Sequence, residues 1–187
     1  MERKTFLAAA AATLGGCMCG GKLFAGESAA APELPEAREA RELRHKVDFM
    51  RKRIARLITA LDEPTRLKVL ETMGRECAKE FGGLTERFRG KPEEFLDEAR
   101  RQWMKTASYD PASGTIHVVD RATSCTCAFV QPGLTPADFC ACTLGWQKEA
   151  YATILGEPVD VELESSVLRG APNCAFRIRA RRAAERG

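Results

Sequence analysis

The stretch SCTCAFVQPGLTPADFCAC, residues 124–142, holds four of the chain's eight cysteines, as Cys125-x-Cys127 and Cys140-x-Cys142. Thiols at that density suit four kinds of chemistry: metal ligation, disulfide bonding, nucleophilic attack and the lining of a small-molecule pocket. Spacing narrows the first. In an extended segment, residues i and i+2 share one face about 6.6 Å apart at Cα, which sets Cys125 and Cys127 on the same side as Phe129. In a regular helix, positions 140 and 142 diverge by about 200° and cannot both reach one point. A four-thiol zinc site therefore requires an irregular strand end or helix start. The set that survives a regular helix is Cys125 and Cys127 with one helix cysteine, and Cys174 approaching from the end of the chain. The candidate ligands of a metal or small molecule are thus Cys125, Cys127, Cys140, Cys142 and Cys174. Trp146, on the cysteine-bearing helix, packs on the sheet or walls a pocket. Zinc or an iron–sulfur centre is the cofactor class such a set would hold.

Two alternatives stay open beside metal. A disulfide inside either Cys-x-Cys would be strained, whereas one from Cys125 or Cys127 to Cys140, Cys142 or Cys174 is geometrically open. A thiol-lined pocket between sheet and helix is the third reading, with the thiolate of Cys140 favoured by a helix N-terminus. No catalytic residue emerges. The chain has no glycine-rich phosphate loop, HExxH or GxSxG. In HVVD, a regular strand puts His117 and Asp120 on opposite faces, which spoils a Cys–His–Asp assembly. A net charge of +3 over 187 residues is too little to argue for nucleic acid, and none is expected as a partner.

Compartment decides among these readings, and the N-terminus speaks to it. Residues 1–31 have a charged start, an apolar run from Phe6 to Leu14 and then small residues, the layout of an export signal. RKTFL resembles a twin-arginine leader with Lys4 in the second arginine's place. LGGC at 14–17 resembles a bacterial lipobox, which makes Cys17 a candidate lipid anchor. The expectation is an exported protein, periplasmic or membrane-anchored, with residues 32–36 as linker. Twin-arginine export would let the chain fold and load its ligand in the cytoplasm.

The elements that must position the cysteines come next. Residues 37–107 read as helical. Ala40, Leu43, Val47, Met50, Ile54, Leu57 and Leu61 form a heptad-like seam. A basic side carries Arg38, Arg41, Arg44, Lys46, Arg51, Lys52, Arg53 and Arg56. The expected arrangement is a buried seam under a solvated basic face; the alternatives are an anionic lipid surface or a partner helix, including a homo-oligomer. A second helix over about 63–81 presents Leu67, Leu70, Met73, Cys77 and Phe81, and ends at Gly82-Gly83. A third, from Pro92, buries Phe95, Leu96, Ala99 and Trp103. Residues 108–187 read as a cysteine-rich α+β domain: strands at 114–121 and 124–130, a helix at 134–157 capped by Thr135 with Asp138 in a capping box, then two more strands. The fold class is α+β, a β-β-α-β-β antiparallel sheet with a helix across it after N-terminal helices. In the last hairpin, a register summing to 341 sets Glu164 opposite Arg177, Glu162 opposite Arg179 and Asp160 opposite Arg181, with Cys174 facing inward beside Val167.

The segment FCACTLGWQKEAYATILGEPVDVELESSVLRGAPNCAFRIR resembles the end of 4-vinyl-reductase-like small-molecule-binding domains. The matching residues are Gly145, Gly170, Cys174 and Phe176, in a glycine-containing helix, an alternating strand and a Gly-x-x-x-Cys-x-Phe turn. Similar C-termini occur among 2-amino-thiazoline-4-carboxylate hydrolases and exported bacterial proteins with Cys-x-Cys pairs. The resemblance implies a ligand pocket between sheet and helices that the cysteines reach. The expected function is an exported binding or sensor protein. A hydrolase or thiol enzyme and a disulfide-stapled interaction protein are the alternatives.

Overall fold

The computed structural model describes residues 34–181, so the leader, Cys17 and residues 32–33 of the linker lie outside the described residues, while 35–36 already belong to the first helix. Helix α1 (Pro35–Ala60) opens with proline at its first turn, where no backbone N–H is missed. Asp62 caps α2 (Glu63–Glu80) by accepting a hydrogen bond from the Thr65 N–H at 3.1 Å. A short helix α3 (Gly82–Glu86) follows where the double glycine predicts a stop, and α4 (Pro92–Gln102) buries Phe95, Leu96 and Ala99 as its period requires. On α2 the buried residues are Leu70, Gly74 and Ala78, while Phe81 is exposed. The expected apolar face is thus rotated toward the small residues.

The fold is α+β with one four-stranded antiparallel sheet, order β1-β2-β4-β3. Its strands are β1 (Met104–Asp110), β2 (Thr115–Asp120), β3 (Val159–Ser165) and β4 (Ala175–Ala180). The first hairpin is therefore 104–120, and the strand expected at 124–130 is a loop. The reason is topological. One edge of β2 pairs with β1 and the other with β4, so no edge remains for 124–130. The last hairpin keeps the expected faces but not the expected register. Glu162 lies opposite Arg177 and Asp160 opposite Arg179. A slip of two residues preserves both faces, which is why the alternation alone does not detect it. Arg177 still reaches Glu164 and Arg181 still reaches Asp160, diagonally across the solvent face.

Helix α5 (Cys140–Leu155) lies on the inner face of the sheet and ends at Gly156 in the left-handed region. Tyr151 and Ile154 pack with Phe95, Ile116, Val118, Phe176 and Ile178 into the main core. On its other side α5 crosses α2 at two glycines. A Cβ on Gly74 would meet the Cys142 carbonyl oxygen at 1.8 Å, and one on Gly145 would meet the Glu71 carbonyl oxygen at 2.0 Å. Only glycine permits that backbone-to-backbone approach. Ion pairs Lys148–Glu71 at 2.7 Å and Arg75–Glu149 at 3.4 Å border the crossing. Helix α1 joins the body through its C-terminal half, where Arg51 donates to the Ala128 carbonyl and Ala55 and Ile58 are buried. Its seam is covered only in part: Ile54 and Leu61 pack beside Ile58 and Leu70, whereas Leu43, Met50 and Leu57 are exposed.

Candidate functional site

Four segments carry the six described cysteines, all of them free thiols: Cys77 on α2, Cys125 and Cys127 on the loop after β2, Cys140 and Cys142 on α5, and Cys174 before β4. The start of α5 answers the question its spacing raises. A single turn of 3-10 helix spans Ala137–Phe139 and the α-helix begins at Cys140. No side chain caps either. Thr135 instead accepts from the Gln131 N–H at 2.9 Å, and Asp138 pairs with Arg66 at 2.7 Å, so the expected capping box is absent. Because the helix is regular from its first cysteine, Cys140 and Cys142 turn to different sides.

Cys142 turns toward α2 and the loop. It packs with Cys125, Cys127, Met73 and Leu168 around Ile58, Leu70, Val130 and Phe139. Burial pushes the Cys142 thiol up to about 12, and the neighbouring Cys127, Cys77 and Cys125 add to the shift. Cys77 is raised by burial, then by Glu80 and Cys127. Cys77, Cys127 and Cys142 therefore form one electrostatic group, assembled by the Gly74 crossing that presses α5 onto α2. Cys140 turns the other way, buried, with its Sγ 3.0 Å from Ser166 Oγ. Cys174 is beside it, half-buried and raised by burial, with Asp120 and Cys140 contributing and the Val167 backbone opposing. Cys125 links the two groups. It is raised by burial, opposed by the Cys127 N–H, and raised further by Cys127, Cys174 and Cys140.

Cys125 and Cys127 pack against the same small cluster, from a loop rather than from the strand face that their spacing suggests. Spacing misses Cys77, which it assigns only to a packed face. The signal for its role lies in Gly74 and Ala78 beside it, small residues that mark a close helix crossing. Among the described residues, no three His, Cys, Asp or Glu side chains stand close enough to hold a metal ion as placed. The loop bearing Cys125 and Cys127 is held without a sheet ladder, by bonds that include Arg51 donating to the Ala128 carbonyl at 2.6 Å, Asn173 to the Ala122 carbonyl at 3.2 Å, and the Val130 N–H to the Cys127 carbonyl at 3.0 Å. Trp146 is half-buried, and its backbone N lies at the Gly74 crossing with α2. The positions that face the sheet include Gln147 and Tyr151. Both are buried, and Gln147 Oε1 and the Tyr151 hydroxyl have no hydrogen-bond partner. His117 stands on the outer face of the sheet, 3.9 Å from Glu164, and His45 on the exposed part of α1. Neither faces a cysteine. Surface clefts of about 390 and 410 Å³ lie away from the thiols, the first among Arg75, Arg89, Glu157 and Arg181, the second beside Ala55 and Leu134.

No family model matches the chain, and no curated protein matches it. Among solved structures it is similar to a trafficking protein particle complex subunit 3 from Naegleria fowleri covalently bound to palmitic acid. That likeness has 14% identity and a TM-score of 0.47, covering 78% of this chain and 96% of that one. It is also similar to the phenol-responsive sensory domain of the transcription activator PoxR with phenol, at 14% identity and a TM-score of 0.42 over 70% of each chain. The functional reading rests on this chain's own residues.

Proposed function

We propose that this chain is a binding module, not an enzyme, that takes up a thiophilic metal ion at the junction of α2, the 121–136 loop and α5. The observation that carries the reading is the packing of Cys125 and Cys127 of the loop with Cys142 of α5 and Met73 of α2 around one small cluster, with Cys77 of α2 near enough to feel the Cys127 charge. Neighbouring thiolates, whose charges repel, are relieved when a cation replaces their protons. Thiolates and a thioether select soft or borderline ions such as zinc. Binding draws Cys125 and Cys127 onto Cys142 by a shift of the loop, which has no sheet ladder to break. The leader adds export to this reading, with loading before transport if the twin-arginine route is used.

A thiol nucleophile fits less well. Cys77, Cys125, Cys142 and Cys174 are all raised, which keeps them protonated at neutral pH, and neither described histidine faces a cysteine. A second reading, a small molecule between α5 and the sheet, is favoured by two polar groups buried there without partners among the described residues, Gln147 Oε1 and the Tyr151 hydroxyl. Titration of the metal-free full chain with Cd²⁺ tests the first. A thiolate-to-metal charge-transfer band should saturate at one equivalent, with affinity rising as pH rises because the raised thiols must release protons. Absence of the band would exclude metal and leave the pocket between α5 and the sheet as the surviving reading.

A further inference from the structure

We propose that α1 lies along an anionic membrane surface, with the edge formed by Leu43, Met50 and Leu57 and the neighbouring Phe49 against the lipid. These four side chains are 61%, 52%, 53% and 64% exposed. Leu43, Met50 and Leu57 recur every seven residues, so they line one edge of the helix over about 21 Å. The helix meets the body through a different edge, that of Ala55 and Ile58. The apolar stripe is therefore left bare by the fold that surrounds it.

Charge says what covers it. Between Pro35 and Ala60 stand eight Lys and Arg against four Asp and Glu, a formal +4 on one helix in a chain whose total is +3. Lys46 and Arg53 each follow a stripe residue by three positions and flank the stripe on one side. The Arg53 guanidinium sits 4.6 Å above the Phe49 ring, and Arg56 completes that flank. Arg44, Lys46, Lys52, Arg53 and Arg56 have no carboxylate partner among the described residues. Cations beside an exposed apolar line can reach lipid headgroups while the apolar side chains enter the acyl boundary. A second copy of this chain fits poorly. In a parallel pair Lys46 would face Arg51, and in an antiparallel pair the flanking cations would again face cations. No described helix is long and apolar enough to cross a membrane, so the contact proposed is along the surface.

The test is hydrogen exchange on the purified full chain, alone and with vesicles of phosphatidylethanolamine and phosphatidylglycerol or of phosphatidylcholine alone. Amides between residues 43 and 57 should slow on the anionic vesicles and not on the neutral ones. That readout is local, so it does not depend on whether the leader also holds the membrane. Replacing Lys46, Arg53 and Arg56 by Gln should lower the affinity of this segment for the vesicles about 100-fold. The variant Met50→Ser with Leu57→Ser should remove the protection while leaving the core exchange of α5 unchanged. Equal protection on both vesicle types, or none on either, would overturn the proposal. So would variants that leave the protection intact or that abolish only binding to a soluble acidic protein.

Discussion

Helix α5 buries two unlike surfaces. Toward the sheet, Tyr151 and Ile154 meet Phe95, Phe176 and Ile178 in a dense apolar core, with Phe95 and Tyr151 edge to face at 5.7 Å. Toward α2, the contact is backbone on backbone at Gly74 and Gly145, rimmed by ion pairs and ending in a half-buried group of thiols. The sheet side has the large side chains that fix the fold. The α2 side has small residues and sulfur, which fix a position but contribute less apolar burial.

Substitutions should separate the two sides. Phe176→Ala removes a fully buried ring from the sheet side and should cost about 3–5 kcal/mol in urea unfolding. Gly74→Ala on the other side forces a Cβ into the Cys142 carbonyl. It should cost about 1–3 kcal/mol and also speed alkylation of Cys77 and Cys142 as the helices part. If Gly74→Ala is tolerated with unchanged alkylation, the crossing does not position the thiols.

Asp120 gives a pH-dependent contrast at the sheet end. Burial raises its carboxyl from 3.8 to about 6. Its folded form therefore favours the proton. The stability this lends is full below about pH 4 and lost as pH rises through 6. Asp120→Asn should accordingly stabilise the protein by about 1–2 kcal/mol at pH 7.5, after allowance for partial exposure, and by nothing near pH 3.5. Denaturation at the two pH values checks this. An equal effect at both would show that the carboxyl is not desolvated.

Much of the fold is legible in the sequence, because long periodic helices and the alternation of β3 and β4 announce their faces. What fails, fails for tertiary reasons. TSCTCAFV has strand-forming residues, yet both edges of β2 are already taken. MKTASYD lacks a clear alternation and carries a register irregularity between Met104 and Thr106, which hides β1. The seam of α1 is visible as a pattern, but a pattern does not say whether anything covers it. Of the site, the two Cys-x-Cys pairs and Cys174 stand out by spacing. Cys77 does not, because its neighbours Cys127 and Cys142 come from segments far along the chain.

The central claim is that the thiols beside α2 bind a metal ion, and stoichiometry tests it most directly. Full-length protein purified without chelator should carry one equivalent of a thiophilic metal. Cys127→Ser and Cys142→Ser should each lose it while shifting metal-free stability by less than about 1 kcal/mol. Sub-stoichiometric metal, or metal content indifferent to both changes, would contradict the account.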